Sequence, residues 1–341
     1  MTQAGGSARA LLISPSFFGY EHDIADELES QGFSVTFLDE RPSNSALARA
    51  VIRFRKDLVA RFVDSYFRSK QAELEGTTFE LVVVIKAETV PRWFLESLRS
   101  DSPAARFVFY TYDALGNAGN CLTVLDLFDR RLSFDSADVT WRQDFEYLPL
   151  FYSRHYAPLP PGEAGAPRRF SMSFVGTLHS DRYDFVKRLF AGRPGTFGFF
   201  YVQAWWYFVV VKYFSREHAN VPWSDVAFSP LSHAEIADVL RHSRSVVDMQ
   251  RPGQSGLTMR TFEALASGAI LVTTNEAIRK EPFYDPSRVV VVSPQLAELD
   301  AASVTAQVDA LPLPTGMPEG FERYSLASWV RAVSGVDEAS R

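Results

Sequence analysis

The 341-residue chain has a single cysteine, Cys121, so no internal disulfide can form and a bridge-stapled scaffold is excluded. It also lacks an excess of positive charge. Its 41 acidic residues outnumber 35 Lys and Arg, for a formal charge of −6. That argues against nucleic acid as a partner but leaves room for a local basic site. No G-x-G-x-x-G follows the first strand-like run, where the chain reads SPSFFGYEHD (Ser14 to Asp23). The fingerprint of a dinucleotide-dependent oxidoreductase is therefore missing. No D-x-D-like cluster stands at a strand end, and Asp181 and Asp184 flank Arg182 at an unhelpful spacing, so neither metal nor other cofactor is expected. The opening MTQAGGSARALLIS has no basic segment leading into a long apolar core, and a cytoplasmic protein is expected.

Long apolar runs are scarce as well. The one of note, FGFFYVQAWWYFVVVKYF from Phe197 to Phe214, is broken by Gln203 and Lys212 and only reaches the lower limit of a membrane span. Its length and composition predict a buried strand followed by a core helix. The alternative is a surface that dips into a membrane interface, or meets a lipid-linked substrate, at the inner face of the membrane.

What is present is alternation. Short β-branched and aromatic runs at Ala10–Ser14, Ser34–Asp39, Leu81–Lys86, Phe107–Tyr112, Arg131–Asp135 and Tyr147–Tyr152 are separated by helical patterns. The alternation restarts at Phe170–Gly176, Ser245–Gln250, Ala269–Thr274 and Val289–Ser293. Continuous apolar strands between helices predict parallel sheets covered on both faces. The fold class is thus α/β, with two Rossmann-like doubly wound domains facing a cleft. The expected division is residues 1–156, a Pro- and Gly-rich linker over 157–169, a second domain over 170–315, and a closing helix and tail over 316–341. In such sheets ligands bind beyond the carboxyl ends of the strands, so the polar residues there are the candidates.

The stretch SGLTMRTFEALASGAILVTTN (Ser255 to Asn275) breaks a local rule. A helix is predicted from about Thr258 to Ser267, with Met259, Phe262, Leu265 and Ala266 as its buried stripe. Arg260 then lies in the first turn, against the helix dipole. Gly256 permits close backbone approach and the free N–H groups of the first turn attract anions, so with Arg260 the site suits a diphosphate. Glu263, one turn deeper, suits a sugar diol such as ribose. The bland reading is an exposed ion pair worth a few tenths of a kcal/mol.

The segment RTFEALASGAILVTTN resembles the nucleotide-binding segment of GT-B glycosyltransferases, in the group-1-like branch that includes spore-maturation and capsule or lipopolysaccharide biosynthesis enzymes. VVDMQRPGQSGLTMR (Val246 to Arg260) is similar to their donor loop, FSMSFVGTLHSDRYDFVKRL (Phe170 to Leu189) to the start of their donor domain, and Leu11 to Ser45 to their N-terminal βαβ. The resemblance implies that Arg260 meets the diphosphate and Glu263 the ribose, with Gly176 and Thr177 beside the phosphates. Ser255 departs from the pattern, since many retaining members carry a glutamate there.

Transfer of a sugar needs charge stabilisation on the leaving diphosphate, for which Arg260, Arg251 and Arg182 are available. An inverting reaction also needs a base. The first loop offers Glu21, favoured by the resemblance, and His22 as the alternative. Arg41, Lys86, Glu88 and Asp113 at the other strand ends could bind acceptor hydroxyls. The expected partners are a nucleotide sugar and a saccharide or lipid-linked saccharide acceptor of a cell-surface polysaccharide. The rival functions are a sugar-nucleotide epimerase of the same architecture and a non-catalytic nucleotide- or sugar-binding protein.

Overall fold

The computed structural model describes residues 7–42, 56–117, 121–160, 167–179, 181–215, 218–250 and 255–335. The chain forms two compact units, Met1–Pro149 with Leu326–Arg341, and Leu150–Ser325. The change of unit thus falls upstream of the Pro- and Gly-rich segment over 157–169.

The first unit holds β1 (Ala8–Ser14), β2 (Phe33–Asp39), β3 (Leu81–Ile85), β4 (Arg106–Thr111), β5 (Arg130–Ser133) and β6 (Glu146–Tyr147), all paired in parallel in the order β2-β1-β3-β4-β5-β6. Around this sheet run α1 (Tyr20–Ser30), α2 (Lys56–Glu73), α3 (Arg92–Asp101) and α4 (Ser136–Trp141). Every residue of β3, LVVVI, is buried, as a central strand covered on both faces requires. The run expected to be a strand through Tyr152 stops at Tyr147. Pro149 supplies no N–H to continue a ladder there.

In the second unit β7 (Met172–Thr177), β8 (Thr196–Tyr201), β9 (Val226–Ala227), β10 (Ser245–Asp248), β11 (Ile270–Thr273) and β12 (Val289–Val291) pair in parallel as β12-β11-β10-β7-β8-β9. Its helices are α5 (Arg182–Phe190), α6 (Trp205–Val209), α7 (His233–Arg241), α8 (Met259–Ala266) and α9 (Ala301–Ala310). The final helix, α10 (Leu326–Ser334), returns to the first unit. There Trp329 packs edge-on against Tyr110 at 4.8 Å and Gln31 Nε2 donates to the carbonyl of Ala327. In each sheet the winding direction reverses once, between β1 and β3 and between β7 and β10, which is where such folds open a ligand crevice.

The Phe197–Phe214 segment forms a strand and then a helix, but the helix is not core. Phe208 and Val211 are buried, while Trp205, Trp206, Tyr207, Val210, Tyr213 and Phe214 are exposed. Helix α6 is only five residues long and continues into a π-helical turn at Val210–Phe214, so one side alone can meet the sheet. Among the described residues no helix is long and apolar enough to cross a membrane.

Candidate functional site

At the reversal point of the second unit, β7 ends in Gly176 and Thr177, and β10 ends in Asp248. Arg182, in the first turn of α5, donates from Nη1 to the Thr177 carbonyl at 3.2 Å and from Nη2 to the Met249 carbonyl at 2.6 Å. It therefore ties the two strand ends together from beside the crevice. Gly176 is required by space: a Cβ there would lie 2.8 Å from Phe174 Cζ and 3.4 Å from Arg182 Nη1.

The same crevice carries the start of α8, predicted to within a residue at each end. Thr258 is its N-cap, accepting from the Thr261 N–H. The Thr258 hydroxyl donates to Asp248 Oδ1 at 2.8 Å, and the Thr261 hydroxyl to Asp248 Oδ2 at 2.8 Å. Asp248 is buried. Burial pushes its carboxyl pKa up, and the two threonine hydroxyls, with Arg182 and Arg260 further off, oppose that rise. The buried aspartate thus clamps the helix start to the strand end. The preceding loop is held in turn by Asn275, whose Nδ2 donates to the carbonyls of Ser255 and Gly256, each at 3.1 Å.

Arg260 and Glu263 form an ion pair at 2.6 Å, with side-chain exposures of 16% and 1%. The pair is therefore buried, not the exposed helix-face pair of the bland reading. Tyr156, wholly enclosed, lies against both. Burial drives its phenol well above the usual range, Glu263 reinforces this, and Arg260 opposes it. The carboxylate expected to take a diol is thus sealed beneath Arg260, and Arg260 alone of the pair reaches the surface. Arg251 lies outside the described residues.

In the first unit, α1 starts after Gly19, whose φ of 88° puts it in the left-handed region, open to glycine at no steric cost. Glu21 is buried, and its carboxylate accepts from the Phe17 N–H at 2.9 Å. His22 Nε2 lies 3.7 Å from Glu21 Oε1, and the imidazole is 70% exposed. The exposed ring is thus backed by a buried carboxylate.

The other four candidates come together at the ends of β2, β3 and β4. Arg41 Nη2 meets Glu88 Oε2 at 2.9 Å, Lys86 Nζ meets Glu88 Oε1 at 3.2 Å, and Lys86 also pairs with Asp113. Burial pushes the Glu88 carboxyl up, but Lys86 and Arg41 outweigh it and hold the pKa low. Lys86 and Ala87 have φ of 73° and 52°, a left-handed backbone that non-glycine residues seldom adopt and that concentrates at functional sites.

Beneath the cluster lies Glu40, fully buried, which sequence reasoning passed over. Its Oε2 accepts from the Glu88 N–H at 3.0 Å. Burial, reinforced by Glu88 and opposed by Arg41 and Lys86, raises its pKa from 4.5 to about 8. Asp248 and Tyr156 were also missed. The only signal for Asp248 was an aspartate closing a run of Ser and Val, SVVD, where an apolar residue would be the default.

Two parallel sheets, each reversing its winding once, with helix starts and polar side chains at the strand ends, define a two-domain α/β architecture of the GT-B type. The comparisons agree. Residues 205–309 match the family model described as glycosyl transferase-like. No curated protein matches as a sequence relative. Among solved structures, HepE of Anabaena in complex with UDP-glucose superposes with a TM-score of 0.62 at 10% identity, covering 97% of this chain and 99% of that one. AviGT4, a glycosyltransferase involved in avilamycin A biosynthesis, gives 0.54 at 14% identity over 98% and 97%. The UDP-GlcNAc 2-epimerase of Methanocaldococcus jannaschii gives 0.54 at 7% identity over 97% and 99%. The chain has the GT-B fold, and the resemblance to GT-B glycosyltransferases read from its sequence is borne out.

Proposed function

We propose that the protein transfers a sugar from a nucleotide-activated donor to a saccharide or lipid-linked saccharide of a cell-surface polysaccharide. The observation that carries this reading is the crevice of the second unit. There Gly176 and Thr177, the capped start of α8 and the guanidinium of Arg260 converge where a diphosphate would be met by N–H groups and positive charge. The UDP-glucose bound to the structurally similar HepE supports a uridine donor, and the match to a transferase-like family model favours transfer over epimerisation.

In this reading the acceptor oxygen bonds to the anomeric carbon, the bond between that carbon and the diphosphate breaks, and its electrons leave with the diphosphate. Arg260 and the first-turn N–H groups of α8 stabilise the charge. Glu263 and Tyr156 hold Arg260 in place, while Arg182 ties the two strand ends together. The acceptor hydroxyl gives its proton to His22, and the buried carboxylate of Glu21 stabilises the imidazolium that forms. Protein cations do this work, so transfer proceeds without a bound metal and a chelator leaves the rate unchanged.

The test is release of nucleoside diphosphate from a panel of nucleotide sugars, with and without saccharide acceptors. Acceptor-dependent release is expected, and His22→Ala lowers kcat by roughly 10²- to 10⁴-fold with donor affinity retained. An epimerase would instead convert the donor sugar with no acceptor present, and that result would replace this reading.

A further inference from the structure

The geometry points to α6 and the π-helical turn after it as a membrane-docking platform, whose occupant is the interface of a lipid bilayer. Of the thirteen large apolar side chains exposed among the described residues, seven fall between Trp205 and Trp223: Trp205, Trp206, Tyr207, Val210, Tyr213, Phe214 and Trp223. Scattered apolar residues on a surface need no explanation, but a gathered set does.

The chemistry of the set selects its partner. Three are Trp and two are Tyr, rings with an apolar body and a polar tip that settle at the headgroup level of a bilayer. Phe214, 80% exposed, and Trp205, 63% exposed, project furthest.

Charge agrees. From Val202 to Ser215 there is no carboxylate, and Lys212 is the only charged residue, on a chain whose formal charge is −6. Asp225, near Trp223, is engaged by Lys187 at 2.9 Å and by the Tyr183 hydroxyl at 2.7 Å. The platform is therefore a place on an acidic protein where an anionic surface meets little repulsion.

The rings are also held outward by a rigid base. Phe208 is buried and stacks edge-on against Trp223 at 4.9 Å. Trp223 Nε1 donates to the Tyr213 hydroxyl at 3.3 Å. Lys212 Nζ donates to the carbonyls of Ala219 and Val221, each at 2.7 Å, which straps the turn to the following loop.

Position gives the surface a purpose. Helix α6 leaves the carboxyl end of β8, where Phe200 and Tyr201 lie in register with Gly176 and Thr177 of β7. The platform thus stands on the same rim as the candidate donor crevice, and docking would bring that rim to the bilayer, where a lipid-linked acceptor resides. Only this last point rests on the sugar-transfer reading; the docking itself does not.

The experiment is co-sedimentation of the full chain with vesicles of phosphatidylcholine alone and of phosphatidylcholine with phosphatidylglycerol in equal parts. It compares wild type with the double variant Trp205→Ser, Phe214→Ser. Both side chains are exposed, so the variant is expected to melt as wild type does, and a single variant Phe214→Ser serves if it does not. The expected result is wild-type binding to both vesicles, and at least a tenfold loss of partition in the variant. Wild type that stays in the supernatant with both vesicles, or a variant that partitions as wild type does, overturns the proposal. So does concentration-dependent self-association in light scattering that the variant abolishes without any vesicle binding, which would assign the platform to a second copy of the chain.

Discussion

Arg260→Ala is expected to lower the stability of the second unit by about 3–5 kcal/mol, because it leaves the buried Glu263 carboxylate without its counter-charge. The pair is 2.6 Å apart and the carboxylate side chain is 1% exposed, so water cannot substitute for the guanidinium. In a unit of this size such a loss appears as a fall of roughly 8–15 °C in melting temperature. An exposed pair would cost only about 0.3–0.5 kcal/mol, so a melting point within a degree or two of wild type contradicts the buried arrangement. The double replacement Arg260→Met, Glu263→Leu separates structure from binding. Removing both charges is often neutral or stabilising, so stability returns while donor binding does not.

The second large effect is a dependence of stability on pH in the first unit. Glu40 titrates near 4.5 when unfolded and at about 8 in the folded protein. Between those values the folded state holds a proton that the unfolded state has released, so stability falls as pH rises through the window. The full span corresponds to on the order of 5 kcal/mol. Glu88 works in the opposite direction. Its lowered pKa contributes stability that is present above the unfolded carboxylate range and lost as pH falls through the folded value. Glu40→Gln keeps an oxygen for the Glu88 N–H and removes the titration. Denaturant unfolding at pH 5, 6.5 and 8 is expected to show declining wild-type stability and a nearly level variant. A wild type as stable at pH 8 as at pH 5 would show that Glu40 is ionised in the folded protein.

Much of this architecture was legible because the local signals were redundant. The run LVVVI can only be a strand covered on both faces. The helix from Thr258 was marked by its cap, its apolar stripe and its closing glycine together. The candidate residues Arg41, Lys86, Glu88 and Asp113 were found by their position after strands, and the fold brings them into one cluster. What stayed hidden depends on contacts distant in sequence. Nothing near Glu40 says that it will lie buried and accept from the N–H of Glu88, forty-eight residues on. Tyr156 gives no hint that it will lie on a helix more than a hundred residues away. The aromatic run at Phe197–Phe214 misled in a different way. Its composition describes a core, but a helix of five residues with a single π turn has one inner side, and the remaining rings had to face outward.

The measurement that bears most directly on the central claim is calorimetric titration of wild type and of Arg260→Met, Glu263→Leu with UDP, UDP-sugars and the corresponding guanosine, thymidine and cytidine compounds. The account predicts saturable wild-type binding of at least one nucleoside diphosphate or its sugar, and at least a tenfold weaker affinity in a variant that still melts cooperatively. A folded wild type that binds none of them, or a variant that binds as tightly as wild type, would contradict the placement of a donor diphosphate at Arg260.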